Sequence, residues 1–341
     1  MDRKLNGKFG QLLKKIELLA SSHAIPEKIP RVFREFIESY QQVILEHGED
    51  PESYIGIFDT FIDLVKEQFK KPFLFEPYHE KIRSPIDYYK FGVDFLRPLV
   101  DLPRSSVSGI ENLDYMESLL RKKENIILLA NHQIEADPQA ISILLEKTHP
   151  KFGEELIFVA GTRVTTDPLA IPFSMGRNLL CIHSKKYIDH PPEEKHEKQM
   201  HNKRTMERMV ELLNEGGHAI YVAPSGGRDR ANPNGTVQVA PFDPQSIEMF
   251  YLMAQKASSP THFFPLTLST YHLLPPPETT EVELGEKRIT RGGAIHMHFG
   301  EAVDMENFPG AENATDKKDK RRIRAEYLWN VVNKEYEKFP K

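Results

Sequence analysis

Cysteine is almost absent from the 341 residues of this chain, since Cys181 stands alone. An internal disulfide and a cysteine-rich zinc site are thereby excluded, and a reducing compartment fits. A lone cysteine inside an apolar run reads as a small core residue of a strand. Also missing is any apolar stretch approaching the roughly 18 residues of a membrane span. The opening MDRKLNGKFGQLLKKIELLA lacks the apolar centre of a signal peptide, and with Asp2 and Glu17 in a helical pattern it reads as a folded helix rather than a transit segment. Charge of one sign is not in surplus either. The 45 Lys and Arg against 50 Asp and Glu leave a formal net charge of −5, with no purely basic block. The electrostatic footprint of a nucleic-acid binder is therefore lacking. With no internal repeat and no low-complexity segment, the expectation is a mildly acidic protein, soluble or at most peripheral to a membrane.

The length exceeds that of one typical compact domain, so more than one structural unit is expected. Apolar residues recur at helical spacing through Phe9, Leu12, Leu13 and Ile16, again through Val32, Phe33, Phe36, Ile37 and Tyr40, and again through Phe58, Phe61, Ile62 and Val65. Breakers separate the three runs, with Asp50 placed to cap a helix that has Pro51 at its first position. Three amphipathic helices in a row predict a small bundle over residues 1–75. Lys4, Lys8, Lys14 and Lys15 around the first stripe would also suit a helix lying on a membrane surface, but packing against the other helices is the expectation.

Beyond residue 76 the pattern changes to β-prone runs alternating with helical stretches: NIILLA, ELIFVAG, NLLCIHS, HAIYVAP, HFFPLTLS and AIHMHFG. Continuously apolar strands are what a sheet covered by helices on both faces demands, so residues 76–341 read as an α/β domain. Residues 309–322 read as an exposed turn entering a final helix.

Three of these strands end in polar groups. NIILLA runs into Asn131-His132, with Asp137 five positions after the histidine. If Asp137 accepts a hydrogen bond from one ring nitrogen, the other is left to take a proton from a hydroxyl, which makes His132 a candidate general base. A metal site built from His132, Glu135 and Asp137 is a second reading, weakened by the lack of a second histidine at helical spacing. A capping Asn131 with a histidine for neighbour is the bland one. HAIYV runs into APSGGRDR, where Gly226 and Gly227 let backbone amides approach an anion and Arg228 and Arg230 offer planar forks for a phosphate. On its own that stretch reads as a solvated turn with an Arg–Asp pair. NLLCI runs into HSKKY, with Lys185 and Lys186. A proton acceptor beside a cationic cradle suggests chemistry on the hydroxyl of a small phosphorylated molecule.

NHQIEADP resembles the N-H-x4-D block of the glycerolipid acyltransferases. Together with SPIDYYKFGVDFLRPLVD, FVAGTRVTTDPLAIPFSMGRNLLCIHSKKY, APSGGRDR and FFPLTL, in that family's order over most of the chain after residue 76, it resembles the soluble, plastid-type glycerol-3-phosphate 1-acyltransferases. The resemblance implies an α/β acyltransferase domain on a large mixed sheet, preceded by a small helical bundle. It implies that His132 acts as general base for the sn-1 hydroxyl of glycerol 3-phosphate and that Asp137 orients it. It further implies that Lys186, Arg228 and Arg230 bind the substrate phosphate, joined by Tyr187, which stands where the family has a histidine and offers one hydrogen bond but no charge. The broader family's E-G-T-R block appears as SGGR.

The expected reaction is direct transfer of an acyl group from acyl carrier protein or coenzyme A, with neither cofactor nor metal and no covalent acyl-enzyme, since Ser225 lacks a G-x-S-x-G elbow. Val164 to Met175 and FFPLTL are candidates for an acyl groove, with plain core as the alternative. The basic residues of 195–208 are interleaved with glutamates and read as a solvated helix rather than a carrier-protein dock. Transient membrane contact is expected of an enzyme that releases a lipid. The bacterial cytoplasm is the expected compartment, with the plastid stroma after removal of a transit peptide as the alternative. Competing activities are acylation of 1-acylglycerol 3-phosphate, a metal-assisted phosphoester hydrolase and a non-catalytic lipid-binding module.

Overall fold

The computed structural model describes residues 7–184, 188–277 and 288–340. Helices α1 (Lys8–Ser21), α2 (Ile29–Glu46) and α3 (Ile55–Lys70) form where the apolar spacing puts them. Phe9, Leu12, Leu13 and Ile16 of α1 are buried in one cluster with Phe33, Phe36, Ile37, Phe58, Phe61 and Ile62. The lysine-edged first helix thus spends its apolar stripe on the core. Lys15, beside the stripe, reaches Asp59 at 2.7 Å and Asp63 at 2.8 Å on α3. Asp50 accepts the Glu52 amide at 3.0 Å and caps a single 3-10 turn that has Pro51 at its first position.

This apolar cluster continues past residue 75. Helix α4 (Tyr88–Leu96) inserts Phe95, whose ring centroid lies 5.1 Å from Phe58, 5.2 Å from Phe61 and 5.2 Å from Phe173. The helical segment and the following α/β segment share one core, which also takes in Ile134, Ala140 and Ile143 beneath the histidine turn.

The strands are β1 (Tyr78–His79), β2 (Ser106–Ser108), β3 (Asn125–Ala130), β4 (Ile157–Gly161), β5 (Asn178–Ile182), β6 (Ala219–Val222), β7 (Arg230–Ala231), β8 (Val237–Gln238), β9 (Thr261–Ser269) and β10 (His296–Phe299). Between and after them run α5 (Ile110–Arg121), α6 (Asp137–Leu145), α7 (Pro150–Glu155), α8 (Thr162–Thr166), α9 (Ile171–Ser174), α10 (Lys195–Glu215), α11 (Pro244–Lys256) and α12 (Lys317–Tyr336). Eight strands make one mixed sheet in the order β1-β5-β4-β6-β3-β9-β10-β2. Its middle, β5-β4-β6-β3-β9, is parallel throughout, while β1 and β10 run antiparallel to β5 and β9. The six β-prone runs of the sequence are all present. The edge strands β1 and β2, two and three residues long, are too short to leave a period in the sequence.

Every residue of β3 is buried. Ile126, Leu128 and Ala130 face a cluster shared with Leu113 of α5, Ile141 of α6 and Phe152 of α7. Ile127 and Leu129 face the opposite cluster, shared with Leu212 of α10, Phe250 of α11 and Leu328 of α12. Both faces being covered accounts for the unbroken apolar run. Because the five central strands are parallel, their carboxyl ends open on one edge, where ligands of open α/β sheets bind.

Candidate active site

Beyond Ala130 the chain makes a short turn and enters α6 at Asp137. An aspartate in the first turn is favoured by the helix dipole, and Pro138 behind it suits a helix start. The Asp137 carboxylate is 1% exposed and holds four donors. Oδ2 accepts the His132 ring Nδ1 at 2.8 Å, the Gln133 amide at 2.8 Å and the Ile134 amide at 3.3 Å. Oδ1 accepts the Thr270 hydroxyl, from the end of β9, at 2.5 Å. A ring nitrogen 2.8 Å from a carboxylate carries the proton, so the neutral His132 presents the Nε2 lone pair outward. Its side chain is 29% exposed, within reach of a substrate.

After β6 the chain turns through Ala223-Pro224-Ser225-Gly226-Gly227. Gly226 has φ +66°, a left-handed conformation that glycine adopts without strain, and its amide closes on the Ala223 carbonyl at 3.1 Å. The returning segment meets the histidine turn directly, the Asp229 amide donating to the His132 carbonyl at 2.6 Å. Burial then alternates, with Asp229 buried and Arg228 and Arg230 part-exposed on either side. Arg230 Nη1 also donates to the Pro277 carbonyl at 3.0 Å. Arg230 and Ala231 pair with Gln238 and Val237 in the β7–β8 hairpin, which stiffens the arginine turn.

A polar network lies beneath both turns. Asp229 Oδ2 accepts Asn131 Nδ2 at 2.9 Å and Gln133 Nε2 at 3.2 Å, and Oδ1 accepts the Ala240 amide at 2.9 Å. Burial pushes the Asp229 carboxyl up to about 6, against the opposing pull of these three donors and of His132. Tyr221 on β6 gives its hydroxyl to the Asn131 carbonyl at 2.8 Å, and burial first, then the charges of Asp137 and Asp229, holds it well above the ordinary phenol range.

Of the residues singled out from the sequence, the structure brings His132, Asp137, Arg228 and Arg230 to one edge of the sheet. Lys186 and Tyr187 lie outside the described residues. Glu135, the third group of the metal reading, turns instead to Arg288, which holds it through Nε and at 3.1 Å through Nη2. The same guanidinium reaches Asp167 at 3.2 Å. Burial alone would lower its pKa, but the two carboxylates outweigh burial and keep Arg288 charged. Among the described residues no three His, Cys, Asp or Glu side chains are arranged to hold a metal ion. Asn131 is no helix cap, since its amide exchanges hydrogen bonds with Leu268 at 2.8 and 3.0 Å.

The apolar candidates for a groove belong to the core: Leu169, Ile171 and Met175 are buried with the helical cluster, and Phe263, Phe264, Leu266 and Leu268 within the sheet. A hollow of about 170 Å³ opens on the site's edge of the sheet beyond β4 and β5, lined by Phe73, Leu74, Phe75, Thr162, Thr165 and His183 among others. On α10, Lys198 reaches Glu194 at 3.0 Å, Lys203 reaches Glu207 at 3.7 Å and Arg208 reaches Glu211 at 2.9 Å, the pairing of a solvated helix. Cys181 is 3% exposed within β5.

Sequence reasoning passed over Gln133, Thr270, the buried role of Asp229 and the Arg288 ion pair, and it read Asn131 only as a cap. Asp229 sits inside the quoted GGRDR, where it reads as the partner of a neighbouring arginine, and its burial gives no sequence signal. Thr270 directly follows the strand run FFPLTLS, and strand ends on the site's edge are where further groups were to be sought. Arg288 lies in a mixed-charge stretch with no periodicity.

Residues 105–269 match the family described as Acyltransferase. Over most of its length the chain is similar to glycerol-3-phosphate acyltransferases of plants. It is 36% identical to ATS11, chloroplastic, of Cucurbita moschata over 96% of this chain and 73% of that protein. It is also 36% identical to the chloroplastic enzyme of Spinacia oleracea, over 96% and 69%, and 35% identical to that of Arabidopsis thaliana, over 96% and 71%. A looser likeness, with TM-score 0.40 and 19% identity over 76% of this chain and 84% of the other, is to the crystal structure of the 1-acyl-sn-glycerophosphate acyltransferase PlsC of Thermotoga maritima. No helix among the described residues is long and apolar enough to cross a membrane. With the histidine and arginine blocks gathered on one sheet edge, and with plant relatives matched over 96% of this chain, the protein belongs to the glycerol-3-phosphate acyltransferases.

Proposed function

We propose that the protein transfers a fatty acyl group from a thioester donor to the sn-1 hydroxyl of glycerol 3-phosphate, with His132 as general base and Asp137 as the group that orients it. The observation that carries this reading is the 2.6 Å hydrogen bond from the Asp229 amide to the His132 carbonyl, which seats the Arg228–Arg230 turn beside the histidine. A base and a cationic turn on adjoining backbones suit a substrate whose hydroxyl and phosphate share one three-carbon skeleton. His132 Nε2 takes the hydroxyl proton, and the oxygen adds to the thioester carbonyl. The tetrahedral adduct then expels the thiolate, which receives the proton back from His132. The products are 1-acylglycerol 3-phosphate and a free thiol. The imidazolium formed on the way faces the Asp137 carboxylate, and proton transfer of this kind contributes roughly 10²- to 10⁴-fold.

Arg228 and Arg230 hold the phosphate, with Lys186 and Tyr187 completing its site. Direct transfer is supported by Ser225, whose hydroxyl donates to the Gly227 carbonyl at 2.9 Å rather than to a base. The amides of Gln133 and Ile134 are spent on Asp137, so the developing oxyanion is met by other donors. The donor is acyl carrier protein or coenzyme A, the catalytic unit is residues 76–341, and residues 1–75 form the helical unit packed on it. The product, with one acyl chain, suits brief contact with a bilayer. As to compartment, the chloroplastic relatives support a plastid-type enzyme, and the bacterial cytoplasm has no support among them.

The test is acylation of radiolabelled glycerol 3-phosphate by palmitoyl carrier protein and by palmitoyl coenzyme A, with and without a chelator, alongside His132→Ala. Chelator-resistant labelled product that the variant fails to make is the expected result. Acylation that persists undiminished in folded His132→Ala would overturn the assignment of the base.

A further inference from the structure

We propose that Asp229 is a positioning residue for the transfer, its carboxylate fixing the turn that bears His132 against the turn that bears Arg228 and Arg230. This rests on the roles given above to those three residues.

Asp229 has no exposed surface. Its two oxygens meet three donors from three segments: Asn131 Nδ2 at 2.9 Å and Gln133 Nε2 at 3.2 Å on Oδ2, and the Ala240 amide at 2.9 Å on Oδ1. Neither side-chain amide can turn over. Asn131 Oδ1 already accepts the Leu268 amide at 2.8 Å, and Gln133 Oε1 accepts the amides of Thr270 at 2.6 Å and Tyr271 at 3.0 Å. An ionised carboxylate offers these donors two full acceptor oxygens; a carboxylic acid meets one side with a weaker hydroxyl acceptor, and an asparagine sets its amide hydrogens against a donor that has nowhere to turn. The flanking residues Asn131 and Gln133 enclose His132 in sequence, and Asp229 itself stands between the two arginines. Moving the carboxylate moves base and phosphate site relative to each other.

The titratable groups around it are His132 and Asp137 on the histidine turn, Tyr221 below on β6, and Tyr336 from α12, which lies against Gln133 and Ser269. With its carboxyl pushed up to about 6, Asp229 takes up a proton just below neutrality.

The experiment measures kcat and KM for glycerol 3-phosphate from pH 5 to 8 in wild type, Asp229→Asn, Asn131→Ala and His132→Ala, with thermal unfolding of each. Displacement of catalytic groups by about an ångström costs up to roughly 10²-fold, so kcat/KM for Asp229→Asn falls about 10- to 100-fold, with KM for the acyl donor unchanged. The part of the acid limb that belongs to the carboxyl at position 229 disappears in this variant. Asn131→Ala, which removes one donor from the carboxylate, moves the acid limb to higher pH, and decides the matter where Asp229→Asn does not fold. Wild-type kcat/KM and an unmoved acid limb in the folded variants would overturn the inference. Full activity in His132→Ala would instead overturn the reading on which it rests.

Discussion

The backbone amide of Asp229 lies 2.6 Å from the carbonyl of His132, so the turn after β6 and the turn after β3 are joined at the residue proposed as base. The strands β3 and β6 are neighbours in the sheet, with Leu129 opposite Val222. Parallel pairing delivers their ends to the same edge, and this hydrogen bond extends the pairing into the two turns. The hydrogen bond ties the histidine turn to the turn that carries Arg228 and Arg230.

Replacing Asp137 by Asn tests the orientation of the ring. The Asn oxygen can still accept His132 Nδ1 and the two amides, and the Thr270 hydroxyl, which donates at 2.5 Å, can accept instead. The fold is kept while the charge opposite the imidazolium is lost. We expect kcat to fall about 10²- to 10⁴-fold, with the melting temperature close to that of wild type, as steady-state kinetics and a thermal melt would show.

Removing an arginine from the cationic turn weakens one substrate and spares the other. A hydrogen bond to a charged group contributes about 1.5–3 kcal/mol, so Arg228→Ala or Arg230→Ala should raise KM for glycerol 3-phosphate by roughly 10- to 100-fold, with KM for the acyl donor little changed. Arg230→Lys should recover little of it, because an ammonium cannot serve the phosphate and the Pro277 carbonyl with a planar fork. Equal recovery by lysine would count against a geometric role.

Arg288 is the structural charge of the site. It is 6% exposed and pairs with Glu135 and Asp167. Arg288→Met leaves two carboxylates with their shared cation gone, a change that costs about 3–5 kcal/mol. Adding Glu135→Gln and Asp167→Asn should restore most of that loss, and chemical denaturation of the single and triple variants measures both.

Asp229 gives stability and activity opposite dependences on pH. Its carboxyl is raised in the fold to about 6 by burial, so between about pH 4 and 6 the folded chain binds more protons than the unfolded one. The stability this group contributes is therefore greatest on the acid side and declines as pH rises through that window, by about 3 kcal/mol in all. Activity instead needs the ionised form and falls as pH drops below about 6. Urea unfolding across the range should lose this component of its slope in Asp229→Asn.

Much of the fold was legible because its periods are long and unbroken. Phe9 to Ile16 and Phe33 to Tyr40 repeat at helical spacing and pack as a bundle, and NIILLA is apolar on both faces because both faces are covered. The histidine block was legible because Asp137 follows His132 at a spacing that one turn can close. The segment Val164 to Met175 divides: Leu169, Ile171 and Met175 are buried with the helical cluster, as apolar patterning reports, whereas Thr165 and Thr166 line the hollow beyond β4 and β5. Glu135 read as a ligand because a carboxylate beside a histidine looks the same whatever it faces, and its partner Arg288 lies 153 residues away.

By itself, then, the sequence determined the longer local elements, the exclusion of an internal disulfide, the lack of a long apolar span and the blocks that mark the family. Each of these depends on residues close together in the chain or on composition. What the tertiary structure alone decided is which groups meet. Strand order places β6 beside β3 and β9 on its other side, and only that order brings Asp229 and Thr270, from distant segments, to the two sides of the histidine turn. Burial did the rest, turning an aspartate that reads as a surface ion pair into an acceptor fixed by three donors. Hydrophobic pattern encodes where a side chain points, whereas partners across a sheet are set by register and crossover, which no local stretch of sequence contains.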